Sequence, residues 1–192
     1  MLLRLFTFCA LLLLAGCTTT ESSRTQVDWQ QERARLEQLS HWQLSGKMAI
    51  ITPEQKGSAR LNWQQDGEDY RLNLTSLIGT HLLELSRTKG EITLLDSDGN
   101  PHHSQDAEAL IYQLTGWHIP VTGLPAWIKG IPGKAEFDLN PDHSLARVRD
   151  GQWQIVYDNY RDQAGYRLPH QLTMTGQNSR LKLQINQWSL AP

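Results

Sequence analysis

Seven histidines, twenty acidic side chains and two cysteines are the residues of this 192-residue chain that could carry chemistry. Their spacing gives them little to do. His102 and His103 are adjacent, and in an extended stretch adjacent side chains face opposite ways. The sequence contains no His-Glu-x-x-His, no Gly-rich phosphate loop and no Gly-x-Ser-x-Gly elbow. Asp96-Ser97-Asp98-Gly99-Asn100 invites comparison with a calcium loop, which needs Gly at its sixth position and Glu at its twelfth. Pro101 and Ala107 stand there instead, so a hairpin turn is expected. The carboxylates fall in turns and on polar faces, where water solvates them. Neither an enzyme nor a metal site is expected. One turn is unusual in the opposite sense. Leu72 to Leu85 reads as two strands joined through Leu77, Ile78 and Gly79. Turns are normally built from Gly, Pro, Asn, Asp and Ser, so two aliphatic side chains there must be buried or meet something apolar. If one projects, Ile78 is expected at the outer tip, since neighbours in an extended chain alternate.

The elements that must position these residues begin after an N-terminal leader. Arg4 is followed by an apolar run from Leu5 to Leu14, too short to span a bilayer comfortably, and then by small residues. Leu14-Ala15-Gly16-Cys17 resembles the lipobox of bacterial lipoproteins. That resemblance implies cleavage after residues 1–16 and a covalent diacylglyceryl and N-acyl lipid on Cys17, with no other cofactor. Thr18 after the cysteine implies the outer membrane rather than the inner one. Residues 17–27 then form a lipidated cysteine with a flexible Thr/Ser-rich tether, whose extended reach is roughly 30 Å. Cys9 leaves with the leader, so the mature chain has no disulfide and must hold together by burial.

Hydrophobic residues make up 39% of the chain and charged ones 20%, a globular balance. A net charge of −2 without a basic face gives no reason to expect nucleic acid. Asp28 to Leu39 is expected to be a helix, with Asp28 as N-cap and a thin apolar stripe through Leu36 and Leu39. From Trp42 the apolar period becomes two, and short strands follow one another across turns such as Pro53–Gly57 and Asp66-Gly67. The pattern breaks at Ser104. Ala107, Leu110, Ile111 and Leu114 then have helical spacing up to Gly116, and Thr122 to Lys129 reads as a second short helix with Pro125 in its first turn. Strands resume at Phe137 and continue to Trp188, with Tyr166 to His170 irregular.

The expected fold is mainly β with a helical lid: an unclosed, half antiparallel β-barrel of about ten to eleven strands. An N-terminal helix and two short central helices would cover an apolar cavity. Residues 28–192 form this single domain. A single sheet of that size curls, and its apolar face needs cover that so few helices supply only at the mouth. Seven tryptophans are read first as core; an exposed sugar-binding row of them is the other possibility.

The chain resembles the LolB family, outer-membrane lipoprotein receptors. The likeness rests on Leu44-x-Gly46-Lys47-x-Ala49, Trp63-Gln64-Gln65 before an Asp-Gly turn, and Tyr70-Arg71-Leu72. It continues with Gly79 before Leu83-Glu84-Leu85, Asp106-Ala107-Glu108, Leu114-Thr115-Gly116, Ile119-Pro120 and Trp127-Ile128-x-Gly130-x-Pro132-Gly133. Family members commonly carry Pro-Leu-Gly at the first apolar turn, where this chain has Leu77-Ile78-Gly79. The resemblance implies a monomer that accepts acylated lipoproteins from a LolA-like periplasmic carrier and inserts them into outer-membrane lipid. Acyl chains would lie in a cavity lined by Leu44, Met48, Leu61, Trp63, Leu72, Leu74, Met174, Leu183 and Ile185, under a lid faced by Ile111, Leu114 and Trp127. Leu77, Ile78 and Gly79 would be the membrane-contact loop. The competing expectation is an assembly lipoprotein that holds a protein partner or glycan on a Trp-rich face.

Overall fold

Alternating apolar and polar side chains settle into one antiparallel sheet. The computed structural model describes residues 28–176 and 178–190; the leader, Cys17 and the tether lie outside them. The strands are β1 (His41–Ile51), β2 (Lys56–Asp66), β3 (Asp69–Thr75), β4 (His81–Thr88), β5 (Glu91–Leu95), β6 (Pro101–Ser104), β7 (Glu136–Leu139), β8 (Leu145–Asp150), β9 (Trp153–Gln163), β10 (Tyr166–Gly176) and β11 (Ser179–Leu190). Their order in space is β6-β5-β4-β3-β2-β1-β11-β10-β9-β8-β7. Two meanders, β1 to β6 and β7 to β11, are thus sewn together where β1 pairs with β11. Among the described residues β6 and β7 remain as unpaired edges, so the barrel is open.

Burial follows the sequence period. In β1, Trp42, Leu44, Gly46, Met48 and Ile50 are buried; in β11, Leu181, Leu183 and Ile185 are buried while Arg180, Lys182 and Gln184 face solvent. The β1–β11 register slips between Ser45 and Gly46. A Cβ at Gly46 would collide with the Gln184 carbonyl, which explains a glycine inside a strand. At one end of the seam Trp42 lies 5.3 Å from both Trp63 and Trp188, centroid to centroid, in tilted and edge-on contacts.

The segment expected to be irregular, Tyr166 to His170, instead continues as β10. Pro169 cannot donate to the ladder. The ladder here absorbs the fault: the register passes from Pro169↔Tyr160 to Gln171↔Asp158 and skips His170. His170 bonds through Nδ1 to the Ile185 carbonyl, 2.9 Å away.

Among the described residues three helices complete the fold: α1 (Trp29–Gln38), α2 (Ala107–Thr115) and α3 (Leu124–Trp127). The Asp28 carboxylate caps α1 by accepting from the backbone N–H groups of Gln30 and Gln31. Leu36 and Leu39 are buried, and Trp29 tilts over Phe137 at 5.5 Å. Asp106 caps α2 through Ala109, and Gly116, at φ +72°, ends it. The second central helix is shorter than the Thr122–Lys129 expected from its apolar side, a single turn flanked by hydrogen-bonded turns.

Candidate functional site: an apolar cavity under a strap

The chain between β6 and β7 runs from one free edge of the sheet to the other and carries α2 and α3. It is a strap over the open mouth. Glu108 on α2 accepts from the Thr122 backbone N–H at 3.1 Å, which joins the two halves of the strap. A Cβ on Gly123 would strike the Trp127 ring, so the strap packs tightly upon itself at α3. Its far end is pinned by Lys129, whose Nζ donates to the Leu36 and Leu39 carbonyls at 2.9 and 2.7 Å. These carbonyls belong to the C-terminal end of α1, where backbone acceptors lack helical partners and a cation is favoured. Burial pushes the Lys129 ammonium down to about 8, and the Glu37 carboxylate partly opposes that.

Between sheet and strap lies a cavity lined by apolar side chains. Met48, Leu61, Trp63, Leu72, Leu74, Ile111, Met174 and Leu183, all named from the sequence, meet there. Four others do not line it. Leu44 and Ile185 point inward, but Leu44 pairs with Trp63 and Trp188, and Ile185 sits beside the Gly46 fault. There the tryptophan cluster and close backbone approach leave no space. Trp127 is buried against Gly123 within the strap, and Leu114 is half-buried in the last turn of α2. The sequence reading missed Leu83, Leu85 and Leu181, whose alternation within recognised strands pointed inward. It also missed Trp117, Ile119, Val121 and Leu124 of the strap. Their signal was the density of apolar residues after Gly116, which has no helical or strand period.

The cavity is nearly filled by its own lining, with about 30 Å³ of free space. A roomier cleft of about 770 Å³ lies elsewhere, but Asp142, Asp158, Asn159 and Arg167 line it, so it offers hydrocarbon nothing.

The β3–β4 turn places Ile78 92% exposed and Leu77 51% exposed. Gly79 follows at φ +94°, where its lack of a Cβ removes the strain. The turn is closed by hydrogen bonds from Ser76 N–H to Thr80 O, from Gly79 N–H to Ser76 O, and from Thr80 N–H to Ser76 Oγ.

A Trp-rich outer face does not form. Trp42, Trp63, Trp127, Trp153 and Trp188 are all buried, because their strand or strap positions face the interior; Trp29 and Trp117 are partly covered. The Asp96 turn is a hairpin turn, as expected. The Asp96 carboxylate accepts from the backbone N–H groups of Asp98 and Asn100 and from His102 at 2.9 Å. Among the described residues, no cluster of His, Cys, Asp and Glu could hold a metal ion.

The open half-barrel fold is found in solved structures. A LolA superfamily protein from Nitrosomonas europaea superposes with a TM-score of 0.53 over 86% of this chain and 94% of its own, at 10% identity. The chain belongs to the family described as outer membrane lipoprotein LolB, whose model matches residues 40–188. An outer-membrane lipoprotein LolB from Aeromonas hydrophila is 81% identical over 190 residues, covering 99% of this chain and 98% of the relative. One from Vibrio cholerae is 33% identical over 192 residues, covering 95% and 94%.

Proposed function

We propose that this chain, held at the outer membrane by lipid on Cys17, accepts acylated lipoproteins from a LolA-like periplasmic carrier and passes them into outer-membrane lipid. The observation that carries this reading is the wholly apolar cavity at the centre of the half-barrel. Each methylene withdrawn from water is worth about 0.8 kcal/mol, so acyl chains crossing an aqueous space need such a shelter. No covalent step is required. With about 30 Å³ free, the strap must rise before a chain enters. Delivery then falls to the exposed Leu77 and Ile78, which meet the bilayer while the cavity empties. The chain acts as a monomer, and net transfer follows a gradient of affinity from carrier to receptor to membrane.

Ile78 tests the reading, since its side chain touches little of the fold. Ile78→Glu is expected to fold, to accept a triacylated peptide with a blue shift in tryptophan emission, and to deliver it to vesicles poorly. Unfolding of the variant, or normal delivery, would overturn the loop's role. An emission response to a glycan and none to the acylated peptide would overturn the acyl-binding reading.

A further inference from the structure

The cavity lining contains two indole N–H donors. One is accounted for: Trp63 Nε1 donates to the Gln65 carboxamide oxygen at 3.1 Å. The other is not. Trp117 Nε1 is buried and makes no hydrogen bond among the described residues. Buried donors are almost always paired, because an unpaired one forfeits its hydration without return. The remaining lining side chains are aliphatic or thioether, so none of them can accept strongly from it.

The position of Trp117 limits what could pair with it. The residue follows the left-handed Gly116 that ends α2, and its ring lies beside Gly57 at the start of β2. The side chain as a whole is only partly buried, while its nitrogen is fully buried. Trp117 therefore stands at the rim, with hydrocarbon lining below it and solvent above. A lipid seated in this cavity would keep its chains below that level and its linkage to the head group at it.

We infer that Trp117 is a specificity-determining residue, its Nε1–H donating to an ester carbonyl at the glyceryl end of a bound acyl lipid. This rests on the acyl-binding reading above and deepens it. The interaction would let the site distinguish an ester-linked diacylglyceryl group from bare hydrocarbon of the same length, and would fix the depth at which the chains sit.

The test compares two cysteine peptides that carry the same C16 chains on a thioether-linked glyceryl group, one through esters and the other through ethers without carbonyls. The wild-type chain is expected to bind the ester probe about three- to tenfold more tightly, the range of one hydrogen bond. Trp117→Phe keeps an aromatic ring at the rim and removes the donor. It should lose that preference, so that the ester and ether probes bind the variant equally, whatever the smaller ring costs both. In the wild type, the Trp117 indole ¹⁵N–¹H resonance should move downfield with the ester probe and not with the ether. Equal wild-type affinities, an equal loss on both probes in the variant, or an indole resonance indifferent to the carbonyl would each overturn the assignment. Failure of the wild type to bind either probe would instead strike the acyl-binding reading itself.

Discussion

The turn from β3 to β4 and the turn from β5 to β6 share one backbone plan. In each, the first residue's N–H donates to the fifth residue's carbonyl: Ser76 to Thr80 at 2.8 Å, Asp96 to Asn100 at 3.1 Å. In each, a left-handed glycine, Gly79 or Gly99, donates back to the first residue's carbonyl at 3.0 Å. In each, the first side chain accepts from the fifth N–H, Ser76 Oγ at 3.0 Å and Asp96 Oδ1 at 2.9 Å. Nothing in this frame selects the two residues at the crest. The second turn places Ser97 and Asp98 there, as a water-facing turn would; the first places Leu77 and Ile78. The backbone frame of the turn therefore does not require the aliphatic pair.

Exchanging the crests breaks the comparison most sharply. Leu77→Ser with Ile78→Asp should leave the melting temperature unchanged and cut vesicle association by roughly ten- to a hundredfold, the equivalent of one buried aliphatic side chain. Vesicle flotation with a parallel thermal melt measures both. Ser97→Leu with Asp98→Ile, in the wild-type background, should add a second apolar crest and raise association. A crest exchange that destabilises the protein by more than about 0.5 kcal/mol would show that Leu77 or Ile78 packs structurally.

A smaller and equal effect is expected from the glycines. Gly79→Ala and Gly99→Ala each force an L side chain into left-handed backbone, at a cost of about 1 kcal/mol. Open space surrounds both positions, so backbone strain alone should act. Chemical denaturation would reveal any inequality between them.

The smallest effect separates the turns by acidity. The hydrogen bond from His102, with those from Asn100 and Asp98, holds the Asp96 carboxyl well below the usual carboxylate range. A depressed folded-state pKa stabilises at pH above the unfolded value of about 3.9, and this is lost as pH falls from there through the folded value. The Ser76 turn has no such group. The protection factor of the Asn100 amide, its exchange relative to the intrinsic rate at each pH, should therefore fall below about pH 4 while that of Thr80 does not follow the same titration.

The sheet was legible because its inner residues alternate without large interruptions, from Trp42 to Ile50 and from Leu181 to Ile185. The caps were legible too, since Asp28, Asp106 and Gly116 act on neighbours within four residues. What escaped was set by distant contacts. Trp117, Ile119 and Val121 line the cavity from a stretch with no period, so their direction is fixed by the strap's course. Lys129 looked like the polar end of a short helix, and its two carbonyl partners lie about ninety residues earlier in the chain. The near-closure of the cavity was equally hidden, because free volume is a sum over all the side chains that meet there. Leu44 and Ile185 have the right parity for lining it and miss on position along the strand.

The strap's two attachments carry a mechanical consequence. It leaves from β6 and returns at β7, the two borders of one continuous curved sheet. Strap and sheet are thus string and bow: the span of the string limits how far the limbs can spread. Any displacement of the strap would therefore pull on both limbs, which join at the β1–β11 seam. The Gly46 register slip lies in that seam, where the two limbs meet.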